Sequence, residues 1–345
     1  MTDVTILGAG IFGLSIAWMC QKKGARVRVI DPGGPGAGAS GGIVGALAPH
    51  APDNWNDKKT FQLESLLMAR GFWAEVAEVS GISPGYGRVG RLQPIDDERM
   101  LSLSRARIET ARTFWRGEAV WDVLRASDVP LAPLTATGFL AYDTLSARIH
   151  PRRACAALAT AIAKKGGEVM TEGAHTGHVI HATGAAGLLE LSETMGRAVG
   201  TGVKGQSALL DFAAPDMPQI FADGIHIIPH EDGSTAIGST SESEFADPHT
   251  TDAQLDQVIE RAMVAVPALR GAKVIERWAG LRPRARTRER APVLGEHPVH
   301  AGQFIANGGF KIGFGIAPKV GEIMAELVLD QNNTIPANFR PGALL

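Results

Sequence analysis

Glycines at positions 8, 10 and 13, set G-x-G-x-x-G between an apolar run and a helical pattern, give a backbone that a pyrophosphate can approach. Each glycine answers a separate need. Gly8 permits the turn, Gly10 lets backbone N–H groups reach the pyrophosphate at a helix N-terminus, and Gly13 lets helix and strand pack closely. Ile11 and Phe12 complete the turn, and Asp31, at the tip of the next strand-like run, is placed to accept hydrogen bonds from ribose hydroxyls. The chemistry is dinucleotide binding, and this spacing alone leaves NAD and FAD open. The run 33–42 favours FAD. Its small residues, Ser40, Gly41 and Gly42 among them, leave room beside an extended cofactor. A flexible linker is the alternative, but the run leads straight into the apolar stretch 43–49, which has the character of packed chain.

The unit that must hold these residues is a strand at 4–7, a helix through Ile16, Ala17 and Met19 that stops at Gly24, and a second strand at 26–30. Helical periodicity returns at 61–79, 97–115, 152–165, 251–266 and 319–329. Strands are expected at 90–94, 178–181, 206–212, 225–229 and 234–238, the last three joined by turns and therefore forming an antiparallel sheet apart from the nucleotide fold. Ala182-Thr183-Gly184 reads as a small-residue turn lying against the FAD-binding sheet. His178 and His181 are spaced as if to share a face of their strand, but no third ligand accompanies them and no metal site is predicted.

Composition narrows the function. With 45% hydrophobic residues the 345-residue chain can bury a substantial core, and 34 basic against 36 acidic side chains give no global attraction to nucleic acid or an anionic membrane. Cys20 and Cys155 are too few for a disulfide framework and lack metal-site spacing, so both are read as buried thiols in a reducing compartment. No apolar run approaches the roughly 20 residues that cross a bilayer. The opening residues lack the pattern of an export signal, which predicts a cytoplasmic protein.

Further marks follow one another along the chain: Ala39-Ser40-Gly41-Gly42, Ile149-His150-Pro151, Ala182-Thr183-Gly184, Lys204-Gly205-Gln206, Ile227-Ile228-Pro229, Ile237-Gly238-Ser239-Thr240, Gly280-Leu281-Arg282-Pro283 and a glycine-rich loop at 308–318. In this order, over essentially the whole length, the sequence resembles the D-amino-acid oxidase superfamily, which includes glycine oxidase and monomeric sarcosine oxidase. The resemblance implies an α/β fold, α+β overall, in which a Rossmann-like FAD-binding domain (1–85, 146–205 and 279–345) is interleaved with an antiparallel-sheet substrate domain (86–145 and 206–278). It also implies FAD as cofactor, oxidation of the C–N bond of a small amine or amino acid, and electron transfer to oxygen or another acceptor; neither Cys20 nor Cys155 lies near the late segments where sarcosine oxidase tethers its flavin, so noncovalent FAD is expected. Thr183, Gly184, Gly308, Gly309, Phe310, Lys311 and Ile312 then join the cofactor-binding set.

Arg282 falls where the resemblance places the arginine that clamps a substrate carboxylate, a task suited to a planar guanidinium; a structural ion pair is the alternative. Lys311 matches the lysine of the sarcosine oxidase pattern, and substrate contact and a flavin-facing role both remain open. His226 stands where relatives often have a tyrosine, so a tyrosine-gated pocket is not expected. Arginines 277, 282, 284, 286, 288 and 290 form a basic strip whose alternate members from Arg282 can line one side of a strand. The strip is either a solvated edge or a surface for a substrate with more than one negative charge. Two competing functions stay open. One is an oxidase of a modified tRNA uridine side chain, prompted by Gly45-Ala46-Leu47-Ala48-Pro49 and the strip, and the other is a flavin-binding protein without turnover.

Overall fold

A computed structural model describes residues 2–344. In chain order the first strands are β1 (Val4–Leu7), β2 (Val27–Ile30), β3 (Ala46–Leu47), β4 (Arg91–Ile95), β5 (Trp121–Arg125), β6 (Phe139–Asp143), β7 (Ala147–Arg148) and β8 (Glu168–Met170). They are followed by β9 (His178–His181), β10 (Gly200–Asp211), β11 (Gln219–Ala222), β12 (Ile225–Pro229), β13 (Thr235–Gly238), β14 (Lys273–Ala285), β15 (Val293–Glu296) and β16 (Phe304–Asn307). The α-helices are α1 (Ile11–Lys22), α2 (Asp57–Ser80), α3 (Glu98–Phe114), α4 (Pro151–Lys164), α5 (Gly184–Thr194), α6 (Ala253–Ala265) and α7 (Gly313–Asp330).

The first sheet has the order β15-β16-β9-β1-β2-β8. Central β1 runs parallel to β2 and β9, with Val4 opposite both Val27 and His178. Its apolar run suits a strand flanked by parallel neighbours and covered on both faces. Helices α1, α2, α4 and α7 share one core with this sheet, and α1 is buried around most of its circumference through Leu14, Ile16, Ala17 and Trp18. Asn56 and Asp97 cap α2 and α3 by accepting the N–H groups of Lys59 and Met100.

The second sheet has the order β14-β10-β13-β12-β11-β4-β6-β5 and is antiparallel except where β4 meets β11. Leu255, Val258 and Ala262 of α6 pack on Ala208 and Leu210 of β10 and Ile237 of β13. The long strands β10 and β14 pair along nearly their whole lengths and run through residues 205–206 and 278–279.

Three expectations are corrected, and a strand is added to those expected. The last helix begins at Gly313 rather than Lys319 and continues through the buried Pro318, held by packing within the main core. Helix α5 starts within the expected Thr183-Gly184 turn, because Leu188 and Leu191 bury one side of an otherwise small and polar segment. Strand β14 includes Pro283, tolerated because an edge strand need not donate every N–H. His178 and His181 do not share a face, since residues three apart on a strand point oppositely. Among the described residues no helix is long and apolar enough to cross a membrane.

Candidate active site

The turn after β1 opens on a cleft of about 730 Å³ that reaches from Gly10 and Asp31 to Arg282, Lys311 and His226. The Gly8 backbone has φ +108°, and a Cβ there would lie 2.3 Å from the Ala182 carbonyl oxygen, so the β1–β9 approach requires glycine. Asp31 is locked in place: one carboxylate oxygen accepts the Ala9 N–H at 2.8 Å and the other the Gly33 N–H at 2.9 Å. Ser40 Oγ accepts the Ile11 N–H at 2.9 Å, which joins the small-residue run to the first turn of α1. The Phe12 amide, also in the first turn of α1, belongs to the cleft lining and has no carbonyl one helical turn earlier to receive it, the arrangement that binds phosphate.

Of the residues expected at the cofactor, Gly10, Ile11, Phe12, Asp31, Ser40, Gly42, Thr183, Gly184, Gly308, Gly309, Phe310, Lys311 and Ile312 line the cleft. Gly8, Gly13 and Gly41 stand behind this lining, where they let neighbouring backbone segments approach. Asn307 ties two parts of the wall together, since its side-chain NH₂ donates to the Gly184 carbonyl at 3.0 Å and its side-chain oxygen accepts the Gly308 N–H at 2.7 Å. Cys20 and Cys155 are buried outside the lining, and burial pushes both thiols up to about 12. Among the described residues the lining therefore contains no thiol that could tether a flavin.

The far end of the cleft is cationic. Arg282, on β14, donates to the Thr240 carbonyl at 3.2 Å and to Ser239 Oγ. Among the described residues no carboxylate lies within ion-pair distance of it. Burial pulls its guanidinium down to about 10, partly offset by Glu242. Gly205 on the facing strand β10 makes the room, since a Cβ there would lie 2.0 Å from the guanidinium. Glu242 accepts from Gln206 Nε2 at 3.0 Å and from Thr240 Oγ1, which holds the turn whose carbonyl fixes Arg282. Lys311 follows Phe310 at the start of α7, and its ammonium is held below the usual lysine range by desolvation, then by Arg282 and Arg290.

His226, on β12, is half-buried beside Phe221 at 4.7 Å between ring centroids. Burial, reinforced by Arg91, Lys311 and Arg282, lowers its pKa to about 3. The imidazole is therefore neutral near pH 7, and cannot serve there as a charged acid. Because the folded pKa lies below the ordinary value of about 6.5, the unfolded chain binds more protons between those limits. Stability contributed by neutral His226 is accordingly present above about pH 6.5 and lost as pH falls towards 3. In urea titrations at pH 7 and pH 4.5, His226→Asn should lose less stability on acidification than the parent; an identical loss removes His226 as a contributor.

Among the lining residues that sequence reasoning missed are three large polar or aromatic ones. Arg91 is buried on β4 and paired with fully buried Asp143 at 3.1 Å. Trp278 lies against the backbone at Gly42 and Gly280. Gln62 on α2 donates to the Ala48 carbonyl at 3.0 Å. Arg91 had a signal, a charge leading into Leu92 of a short strand. Gln62 and Trp278 carried no comparable signal. The basic strip, by contrast, is broken up. Arg277 pairs with Asp256 at 2.8 Å, Arg282 faces the cleft, and Arg284 lies 5.8 Å from the Phe310 ring centroid. Strand β14 stops at Ala285, leaving Arg286, Arg288 and Arg290 exposed beyond it.

Residues 3–327 match the family model described as FAD dependent oxidoreductase. The chain belongs to that family. A glycine oxidase from Geobacillus kaustophilus (strain HTA426) is 28% identical over 355 aligned positions, covering 94% of this chain and 92% of the relative. The crystal structure of glycine oxidase from Geobacillus kaustophilus superposes with a TM-score of 0.83 at 25% identity over 98% of both chains. The structure of iminodiacetate oxidase from Chelativorans sp. BNC1 shares the fold, with a TM-score of 0.82 at 22% identity over 98% of this chain and 99% of that one. The protein is thus an FAD-dependent oxidoreductase acting on CH–NH amine donors, and the glycine-lined turn, fixed Asp31 and long cleft fit the cofactor. Membership favours a catalyst over a flavin-binding protein without turnover.

Proposed function

We propose that this oxidoreductase acts on a small primary or secondary amine bearing a carboxylate, of the glycine, sarcosine or D-amino-acid type. The observation that carries the reading is Arg282: a cation at the end of the cleft, fixed by neutral groups and lacking a carboxylate partner among the described residues. A guanidinium has five N–H donors, so those not given to Thr240 and Ser239 can grip both oxygens of a substrate carboxylate. Lys311 and the N-terminal turn of α7 add positive potential on the same side. That potential disfavours an ammonium and so holds the substrate nitrogen as the free amine, whose lone pair must enter the C=N bond of the product. Neutral His226 and Phe221 add wall without adding charge. Bound FAD supplies the two-electron acceptor for the C–H bond beside that nitrogen.

We extend the proposal to the cofactor itself: Gly10, Ile11, Phe12, Asp31, Ser40, Gly42, Thr183, Gly184 and the 308–312 turn hold FAD, supported from behind by Gly8, Gly13 and Gly41. The domain division at 85, 145, 205 and 278 remains part of the same proposal.

A second substrate, an amine carrying two carboxylates, is favoured by two cations in one cleft, Arg282 and Lys311, that have no ion-pair partner among the described residues, and by the fold shared with iminodiacetate oxidase. The tRNA reading loses its continuous basic strip to the separate environments of Arg277, Arg282 and Arg284. Mixing the yellow holoprotein anaerobically with glycine, sarcosine, D-alanine and iminodiacetate should bleach the flavin with at least one of them. If all four leave the flavin oxidised while an amine lacking a carboxylate bleaches it, the proposal fails.

A further inference from the structure

We infer that His181, His297 and His300 form a site for one divalent cation of the zinc, nickel or copper type, outside the cofactor cleft. His181 closes β9, and the other two lie in the turn between β15 and β16. One ligand atom from each residue lies within 4.8 Å of those from the other two. Ring centroids are 4.5 Å apart for His181 and His297, 4.5 Å for His297 and His300, and 5.3 Å for His181 and His300. Zn–N bonds of about 2.0–2.1 Å put tetrahedral ligand atoms about 3.4 Å apart. Side-chain rotation, chiefly of exposed His300, closes that gap.

The surroundings suit imidazole coordination. His181 Nε2 lies 2.6 Å from Gln303 Oε1, and an N–H donated there leaves Nδ1 with its lone pair free. Such outer contacts orient metal-binding histidines and fix their tautomer. His297 Nδ1 accepts the N–H groups of Val299 at 3.2 Å and His300 at 3.1 Å. Coordination through His297 replaces these two long bonds, and water can reach the freed amides because Val299 and His300 are exposed. Exposed Glu190 lines the same pocket of about 30 Å³, offering an oxygen ligand and offsetting charge. Imidazole nitrogens favour zinc, nickel and copper over magnesium, which prefers oxygen. A bound ion clamps the β15–β16 turn to the end of β9, next to Ala182 and Thr183 in the cleft wall.

The test is isothermal titration of chelator-treated, FAD-loaded protein with ZnCl₂, and separately with NiCl₂ and MgCl₂. Zinc and nickel should each saturate one site per chain and magnesium none. His297→Ala and His300→Ala should each weaken zinc binding at least tenfold, and Gln303→Ala by about 10–100-fold. Flavin absorbance, unchanged in all three variants, certifies that they are folded. Absence of saturable one-to-one zinc binding, or unchanged affinity in both histidine variants, overturns the site.

Discussion

Arg282→Ala should lower kcat/KM for the best amino-acid substrate by at least about a hundredfold while FAD content stays at the parent level. Charge-assisted hydrogen bonds contribute about 1.5–3 kcal/mol each, and two from one guanidinium to one carboxylate multiply accordingly at about 1.4 kcal/mol per tenfold. Arg282→Lys should recover little of this, because an ammonium cannot satisfy the Thr240 carbonyl and Ser239 Oγ while also gripping both substrate oxygens. Gly205→Ala gives an independent view. It keeps the arginine but places a methyl 2.0 Å from the guanidinium, so the cation must move and the same substrates should be lost. Steady-state kinetics decide the matter: a kcat/KM for glycine-like substrates that survives Arg282→Ala removes this residue from carboxylate binding.

Gly8→Ala should give protein that purifies without flavin. A methyl at that position meets the Ala182 carbonyl oxygen at 2.3 Å in a backbone conformation of φ +108°, so β1 and β9 must separate where the turn delivers the first amides of α1. Gly71→Ala, in α2 with no atom within 4 Å of the added methyl, should remain yellow and gain about 0.5–1 kcal/mol. Absorbance of purified protein, before and after incubation with FAD, separates the two. Full flavin occupancy in Gly8→Ala would show that the turn tolerates the intrusion and that the cofactor does not depend on it.

The geometry of the Gly10–Asp31 end of the cleft was legible because its requirements are local. A tight turn, a close backbone approach and an acid at a strand tip all fall between Gly8 and Asp31, and β1, α1 and β2 form where the pattern puts them. The cationic end was legible only through resemblance. Arg282 and Gly205 meet across two long strands, and nothing near either residue announces the other. Arg91 and Trp278 reach the cleft through sheet register, and α5 escaped because two buried leucines are a faint amphipathic signal. The three histidines show the same limit. His181 had no visible partner because His297 and His300 arrive from the far side of the sequence, through the pairing of β16 with β9.

The concealed thiols have a practical consequence. Cys20 and Cys155 are sealed in apolar surroundings, so an alkylating reagent reaches them only when α1 or α4 comes away from the core. Labelling rate then clocks the opening of the core built on the first sheet, with no introduced probe and no chemistry at the cleft.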